Sequence, residues 1–409
     1  MNAITIKQTK PGYKKTPVGM IPEDWEVRKL DEVTIKTFSG TTPNRSNSEY
    51  YKDGQIPWIK SGELNNWNVI ETEEKITKKA LKNTSLRLVK PNTIIYALYG
   101  ATAGIVSETK IKATINQAIL AIYLKESYSK NFIKYQLYYN KDRFINKYTQ
   151  GGQPNLNSKI VRNYDLIIPP LPEQKAIADC LSTWDKGIEN LSALIASKKE
   201  QKKGLMQGIF NGKLKVENGK LVKIEDKENW LKGWKEVLLK TISTVTKGKQ
   251  LNRSELNEAD KYPSYSGGIT PSGYTDKYNC DANTIIISEG GNSCGYVNFI
   301  DVDFWLGGHC YSVENNAKKM NKNFLYNILK YNEPKIMRLR VGSGLPNVQK
   351  GDLEKFKLKV PSLKEQTEIA EVFNAANKEI ELLEQKLASF KMQKKGLMQV
   401  LLTGEKRLV

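Results

Sequence analysis

Apolar residues recur at alternating spacings of three and four positions in two separate stretches of the chain. The first stretch contains Ile177, Leu181, Trp184, Ile188, Leu191 and Ile195, and the second contains Ile369, Phe373, Ala376, Ile380, Leu383, Leu387 and Phe390. This is the a/d pattern of a helix that packs along its length on a partner helix. We therefore predict two long helices, at about 172–211 and about 363–403, whose apolar seams face a helical partner.

The residues that flank both stretches are typical of helix boundaries. Pro172 suits a first helical turn, and Ser362 with Glu365 forms a capping-box pattern. Asn211-Gly212 and Thr403-Gly404 are suitable helix ends.

Three lysines, Lys198, Lys202 and Lys394, place charge at seam positions and weaken the seams there. At these points we expect the helices to splay or to meet something other than each other. A heptad stripe is also typical of ordinary core packing, so the pairing of the two helices needs a further argument.

An internal repeat supplies that argument. The heptapeptide QKKGLMQ occurs at Gln201–Gln207 and again at Gln393–Gln399. In the same register, LPEQKAIA (Leu171–Ala178) aligns with LKEQTEIA (Leu363–Ala370). Two equivalent helices with equivalent seams are natural partners. Since the first leads into the second half of the chain, the second must run back along it, which predicts an antiparallel pair.

Each helix follows a more variable segment, and Trp25 and Trp234 mark matching starts of these segments. Short β-branched and aromatic runs predict strands there, and Lys130–Tyr148 and Asn321–Arg340 each predict one amphipathic helix. The predicted fold is α+β: two globular α/β bodies joined by two long antiparallel coiled-coil helices, with a pseudo-two-fold internal repeat. The predicted divisions are 1–153 for the first body, 154–216 for the first helical region, 217–345 for a linker and the second body, and 346–409 for the second helical region.

The net charge of the chain is the strongest indication of its partner. The 409 residues include 64 Lys plus Arg against 44 Asp plus Glu, a formal net charge of +20. Such an excess favours a polyanionic partner, most often nucleic acid. A lysine-rich solvated surface is the alternative interpretation.

The sequence gives little support for a metal site or for a membrane-spanning segment. The four cysteines have no tight metal-ligand spacing, and His309 is the only histidine, so we expect reduced structural thiols and no metal site. The sequence has neither an apolar run of about 18 residues nor the apolar segment of a signal peptide. We expect a cytoplasmic protein with no membrane partner.

Gly-rich loops within each body combine small polar, basic and aromatic residues. Glycine allows close approach of the backbone, Lys and Arg neutralise phosphate, and Asn, Gln, Ser and Arg read base edges. Simple tight turns would give the same glycine pattern. The candidate DNA-binding residues are Thr41, Thr42, Asn44, Arg45, Trp58, Lys60, Ser61, Tyr99, Thr102, Asn116 and Gln117 in the first body, and Lys247, Lys249, Tyr265, Ser266, Asn292, Ser293, His309 and Tyr311 in the second.

Catalytic motifs are missing from the sequence. It contains no [ND]-P-P-[FYW] methyltransferase motif and no phosphate-binding G-x-x-x-x-G-K-[ST] loop. Asp165 with Glu173 and Lys175 imitates a nuclease pattern, but the repeat has Lys357 and Thr367 at the first and last positions. We therefore expect no catalytic residues.

Twice in the chain, a variable body is followed by a helix that begins P-x-L-x-E-Q-x-x-I-A and ends KKGLMQ. This arrangement resembles the specificity subunit of Type I restriction–modification systems. IPEDWEVRKLDEV and LYGATAGIV resemble its first target-recognition domain, and SEGGNSCGYVNF with FWLGGHCYS resembles a second one. The resemblance covers essentially the whole chain, and the helical repeat is its most specific part.

The resemblance implies a subunit that reads a bipartite, asymmetric site in double-stranded DNA, one half per target-recognition domain. It implies assembly with two methyltransferase subunits and, in the full complex, restriction subunits. It also implies that S-adenosylmethionine, ATP and Mg²⁺ are cofactors of those partners and that this chain binds none. Two other classes stay open: a basic two-domain adaptor that binds nucleic acid without base specificity, and an enzyme of unfamiliar type.

Overall fold

The computed structural model describes residues 11–148, 155–229, 231–342, 344 and 346–408. It divides into two compact units, one formed by Met1–Asn190 with Leu387–Val409 and the other by Leu191–Lys386. The chain ends and the predicted divisions at 153/154 and at 345 lie outside the described residues.

The first unit mixes short strands and helices, as the sequence predicts. Its elements are β1 (Tyr13–Thr16), β2 (Gly19–Pro22), β3 (Glu26–Lys29), α1 (Leu30–Val33), β4 (Thr34–Ser39), β5 (Ile56–Ile59), β6 (Asn68–Val69), β7 (Lys75–Ile76), α2 (Lys78–Asn83), β8 (Thr93–Ala97), β9 (Val106–Thr109), β10 (Thr114–Ile115), β11 (Ile119–Leu124), α3 (Lys130–Tyr139), α4 (Lys141–Tyr148), α5 (Ser158–Arg162), β12 (Asp165–Ile168) and the start of α6 (Leu171–Phe210).

Two sheets form the centre of this unit. Five strands pair in the order β4-β11-β8-β9-β6, and three in the order β10-β5-β7. In β8, Ile94 and Tyr96 point into one apolar cluster and Ile95 and Ala97 into another, as the two-residue period of a strand requires. The five-stranded sheet is therefore covered by apolar side chains on both faces.

The second unit has a similar set of elements. They are β13 (Leu214–Glu217), β14 (Lys220–Lys223), β15 (Lys235–Leu238), α7 (Leu239–Ile242), β16 (Ser243–Lys247), β17 (Tyr262–Tyr265), β18 (Gly273–Thr275), β19 (Thr284–Ser288), β20 (Val297–Ile300), β21 (Trp305–Leu306), β22 (Cys310–Asn315), α8 (Lys322–Tyr331), α9 (Glu333–Met337), α10 (Lys350–Glu354), β23 (Lys357–Val360) and the start of α11 (Leu363–Leu402). Strands pair in the orders β16-β22-β19-β20 and β18-β17-β21.

Both 40-residue helices, α6 and α11, contribute to both units. In the first unit the start of α6 contacts the end of α11: the rings of Trp184 and Phe390 lie 5.3 Å apart. In the second unit the end of α6 contacts the start of α11, where Lys198 and Glu379 form an ion pair of 2.7 Å. Ser362 accepts the backbone N–H of Glu365 at 3.3 Å, half of the predicted capping box.

The single helices predicted over Lys130–Tyr148 and Asn321–Arg340 are each divided in two, and this part of the prediction was wrong. The first breaks at Asn140, whose side chain donates to the Gln136 carbonyl at 3.1 Å. The second breaks at Asn332, whose side chain donates to the Ile328 carbonyl at 2.8 Å. Asparagine competes with the backbone for hydrogen bonds at a helix end, and apolar periodicity does not register that competition.

Within the described residues, no helix combines the length and the apolar character needed to cross a membrane.

Candidate nucleic-acid interface

In the first body, several of the candidate residues are grouped around the parallel strands β5 and β10. Gly40 follows β4 and lies so close to β10 that a Cβ there would be 1.9 Å from the Ile115 carbonyl oxygen. Thr41 donates its N–H to that carbonyl at 3.0 Å. The Trp58 indole of β5 donates to the Thr41 carbonyl at 3.3 Å. The absence of a side chain at Gly40 therefore allows the loop to lie directly on the strand pair.

A charged network lies beside this indole. Arg45 donates to Glu74 at 2.5 Å, and Lys60 donates to the same carboxylate at 2.8 Å. The Arg45 guanidinium also lies 4.7 Å from the ring centre of Trp58 and 4.8 Å from that of Tyr51. The hydrogen bonds from Arg45 and then Lys60 lower the pKa of Glu74 to about 2. Two cations and a buried aromatic ring are thus held in fixed positions around one carboxylate.

A second group surrounds Gln117. Thr42 donates its hydroxyl to the Gln117 side chain, and Tyr99 also hydrogen bonds with that side chain. Burial raises the pKa of Tyr99, and the hydrogen bond with Gln117 opposes that rise. The neighbouring Asn116 has a side-chain oxygen that is buried without a partner among the described residues.

Three other candidates of the first body, Asn44, Ser61 and Thr102, lie in turns outside these two groups. Asn44 accepts the N–H of Ser46 at 3.1 Å. Ser61 begins a short 3₁₀ turn, and Thr102 lies in the turn between β8 and β9. The structure does not bring these three residues together.

The second body repeats the strand-and-glycine arrangement with different side chains. A Cβ on Gly248 would lie 2.2 Å from the Gly307 carbonyl oxygen. Lys249 donates its backbone N–H to the Leu306 carbonyl at 2.9 Å, and the Trp305 indole donates to the Lys249 carbonyl at 2.9 Å. The indole here belongs to β21, the partner of β17 in a parallel pair. Trp58 belongs instead to the other strand of its pair, since it is aligned with Thr114 of β10.

Glu289 joins three of the candidates in the second body. Lys247 and Tyr311 each donate to its carboxylate at 2.7 Å, and His309 Nδ1 lies 3.8 Å from it. Burial raises the pKa of Glu289, but the hydrogen bonds from Lys247 and Tyr311, together with the nearby charges of Lys247 and His309, outweigh it, so the net shift of the pKa is downward. The side chains of Lys247 and His309 are 52% and 62% exposed, whereas that of Glu289 is 10% exposed. A buried carboxylate therefore positions two accessible nitrogen-bearing groups.

The remaining candidates of the second body lie at the end of β17 and in the loops after β17 and β19. Tyr265 packs edge-on against Phe304 at 5.8 Å, and the backbone of Ser266 lies against Gly307. Ser293 accepts the N–H of Tyr296 through its carbonyl at 2.9 Å. Asn292 is exposed in the turn that follows β19.

The sequence reasoning missed Glu74, Glu289 and Trp305. Carboxylates repel phosphate and so do not fit the pattern expected of residues that contact DNA directly. Glu289 lies inside the quoted motif SEGGNSCGY, and a lone acid in a basic Gly-rich loop is the signal that could have found it. No comparable signal marks Glu74, which lies in the acidic run ETEEK.

The seam residues are buried or half-buried in their own units. Ile177, Leu181, Leu191, Ile195, Ile369, Phe373 and Ile380 are buried, and Trp184, Ile188, Leu383 and Leu387 are half-buried. By contrast, the off-seam Leu382 and Met392 of α11 are 53% and 70% exposed.

The described residues contain no cluster of His, Cys, Asp and Glu that could hold a metal ion. Two of the four free thiols take part in local hydrogen bonds instead. Cys294 donates to the Glu289 carbonyl at 3.0 Å, and Cys310 accepts the Gly267 N–H at 3.1 Å. Burial raises the pKa of both thiols, that of Cys310 to about 11, so they stay protonated at neutral pH.

Two comparisons place the sequence among known proteins. The chain is 28% identical to the putative type I restriction enzyme MjaX specificity subunit of Methanocaldococcus jannaschii, over 97% of each chain. It is 26% identical to the MjaVIII specificity subunit of the same organism, over 95% of this chain and 94% of that one.

Solved structures share the fold. The S subunit of a Type I restriction–modification system from M. genitalium matches with a TM-score of 0.60 and 20% identity, over 92% of this chain and 96% of that one. A chain from a structure that describes complex assembly and conformational transition of the type I R-M system matches with a TM-score of 0.59 and 14% identity, over 94% and 99%.

The family described as "Type I restriction modification DNA specificity domain" matches twice, over residues 22–197 and 231–391. These two matches cover well over half of the sequence and include both groups of candidate residues. The chain therefore belongs to the family of Type I restriction–modification specificity subunits.

Proposed function

We propose that this chain reads a bipartite, asymmetric DNA target, one half with each body, and does no chemistry itself. One observation carries the proposal: both bodies set a glycine against a parallel strand pair and hold the next residue with an indole, but they surround that scaffold with different side chains. A shared scaffold with different polar groups is what two readers of different sequences require.

In this proposal the accessible side chains contact DNA and the buried ones position them. Arg45, Lys60, Lys247 and His309 are the candidates for direct contact. Trp58 and Tyr311, at 1% and 2% exposure, support them. The carboxylates of Glu74 and Glu289 fix the cations in place, so less side-chain entropy is lost when DNA binds.

The long helices would act as a spacer between the two readers. We propose that α6 and α11 form an antiparallel coiled coil about which the internal repeat has pseudo-two-fold symmetry. The contacts of Trp184 with Phe390 in the first unit and of Lys198 with Glu379 in the second support this, because both join an early part of one helix to a late part of the other. The predicted divisions at 153/154, 216/217 and 345/346 belong to the same proposal.

Catalysis would belong to partner subunits. Two methyltransferase subunits and, in the full complex, restriction subunits would assemble on this chain in the cytoplasm. They would carry S-adenosylmethionine, ATP and Mg²⁺. The methyltransferase would rotate its target adenine out of the duplex, which is how enzymes reach a base inside double-stranded DNA.

Competition binding separates this proposal from a basic adaptor without base specificity. The chain, assembled with its methyltransferase subunits, is titrated with labelled genomic fragments in the presence of excess competitor DNA. We expect a small set of fragments to resist competition and their binding to weaken with salt, log K falling by about 0.9 per neutralised phosphate for each tenfold rise in salt. Equal competition by every fragment would favour the adaptor, and turnover by the isolated chain would favour an unfamiliar enzyme.

A further inference from the structure

The two copies of QKKGLMQ differ in how their first lysine is neutralised. In the first unit, Lys394 of α11 forms an ion pair with Asp185 of α6. Tyr135 also donates to Asp185, at 2.5 Å. The Lys394 ammonium lies 5.3 Å and 5.9 Å from the ring centres of Tyr135 and Tyr138. A cation that is only 13% exposed is thus matched by a carboxylate and by aromatic faces.

The matching lysine of the second unit, Lys202, lacks these groups. In the register that aligns the two motifs, Asp185 corresponds to Asn377, Tyr135 to Asn327, and Tyr138 to Lys330. The repeat therefore lacks the carboxylate and both aromatic rings here and has a second cation. Among the residues that the structure describes, the Lys202 side chain forms neither an ion pair nor a hydrogen bond, although its backbone belongs to α6.

Two acids in this part of the second unit are already paired with other lysines. Glu379 of α11 binds Lys198 at 2.7 Å, and Glu333 binds Lys330 at 2.6 Å. Burial lowers the pKa of Lys202, and the Lys330 ammonium lowers it further. Asn327 is 1% exposed, and its side-chain oxygen has no partner among the described atoms. Neither acid, nor the side-chain oxygen of Asn327, therefore binds the Lys202 ammonium.

We propose that Lys202 is the docking point for a carboxylate side chain of a partner protein subunit, which occupies in the second unit the role that Asp185 fills in the first. The inference rests on the proposed function, since it requires a partner that assembles on this chain. A carboxylate is favoured over a phosphate because the repeat itself shows which group this lysine position binds. The half-buried surroundings of Lys202 make such a pair stronger than an exposed one.

Asn377 offers a direct way to fill the site from within. In Asn377→Asp, the new carboxylate takes the position of Asp185 and competes with the partner for Lys202. The measurement is the affinity of the methyltransferase subunit of the same system for the full-length chain, by calorimetry at fixed salt. We expect N377D and Lys202→Gln each to weaken assembly by about tenfold. Lys203→Gln, which removes a charge from the adjacent exposed position, is the matched control and should change little.

The double variant tests the mechanism. If the introduced carboxylate acts by occupying Lys202, N377D has no further effect in a chain that already carries K202Q. Equal effects of K202Q and K203Q, or a full effect of N377D in the K202Q background, would overturn the proposal. Loss of DNA binding by the isolated K202Q chain with assembly unchanged would identify a phosphate ligand and also overturn it. A wild-type chain that assembles with no methyltransferase subunit would contradict the proposed function itself.

Discussion

The starts of the two long helices show the same hydrogen bond in different electrostatic settings. In the first unit the Trp25 indole donates to Glu173 at 3.0 Å, and in the second the Trp234 indole donates to Glu365 at 3.2 Å. Trp25 and Glu173 are buried, whereas Trp234 and Glu365 are half-buried. The repeat therefore preserves the direction of the indole–carboxylate bond but not its burial.

The counter-charge differs accordingly. Arg407 donates to Glu173 at 2.7 Å and to Asp24 at 2.7 Å, and its guanidinium lies 5.5 Å from the ring centre of Trp25. The matching residue of the second unit, Lys215, pairs instead with Glu217 at 3.0 Å. The first unit can bury its carboxylate because an arginine compensates it, and the second leaves its carboxylate near solvent.

The largest expected effect follows from this difference. Arg407→Ala leaves the buried Glu173 without its cation, so we expect the first unit to lose about 3 kcal/mol of unfolding free energy. Lys215→Ala removes an exposed pair and should cost the second unit less than about 0.5 kcal/mol. Urea unfolding, monitored separately in each unit by a site-specific fluorophore, measures both. Equal losses would show that Arg407 does not compensate Glu173.

The two motif lysines should also differ in their effect on stability. Lys394→Gln removes the partner of Asp185, and we expect the first unit to lose about 2 kcal/mol. Lys202→Gln removes a half-buried cation that has no counter-charge among the described residues, so the second unit of the isolated chain should be unchanged or more stable. The same unfolding measurement decides between these outcomes, and a clear destabilisation by K202Q would indicate an internal partner for Lys202.

A smaller effect should appear in acid. Because the folded pKa of Glu74 is about 2, below its ordinary value of 4.5, ionised Glu74 stabilises the first body above pH 4.5 and this contribution is lost as pH falls towards 2. Glu74→Gln should therefore cost less than about 1 kcal/mol at pH 6 and progressively less below pH 4.5. A difference from wild type that does not depend on pH over this range would contradict the assigned network.

The sequence predicted the mixed helix-and-sheet composition because strand alternation and heptad spacing are local patterns. The positions of Asn140 and Asn332 show where local patterns fail, since the apolar period continues through a residue that ends a helix. Glu74 and Glu289 could not be assigned as centres of charge networks. Their partners come from other strands and loops, and only tertiary contacts determine which cation meets which acid.

Trp305 shows the same limit of sequence-based prediction for the arrangement of glycine, parallel strand pair and indole that both bodies share. Its indole holds the residue after Gly248, as Trp58 holds the residue after Gly40, but the two tryptophans belong to different strands of their pairs. An alignment of the two halves could not match them, because the equivalence is one of position in space.

The most direct test of the proposal that each body reads its own half-site is an exchange of one body. Residues 25–154 are replaced by the corresponding body of another family member, and methylated adenines are mapped in cells that carry the hybrid. If each body reads its own half, the hybrid should methylate a site with one new half and one unchanged half, at the original spacing. A change in both halves, or no change in either, would contradict the account of two independent readers.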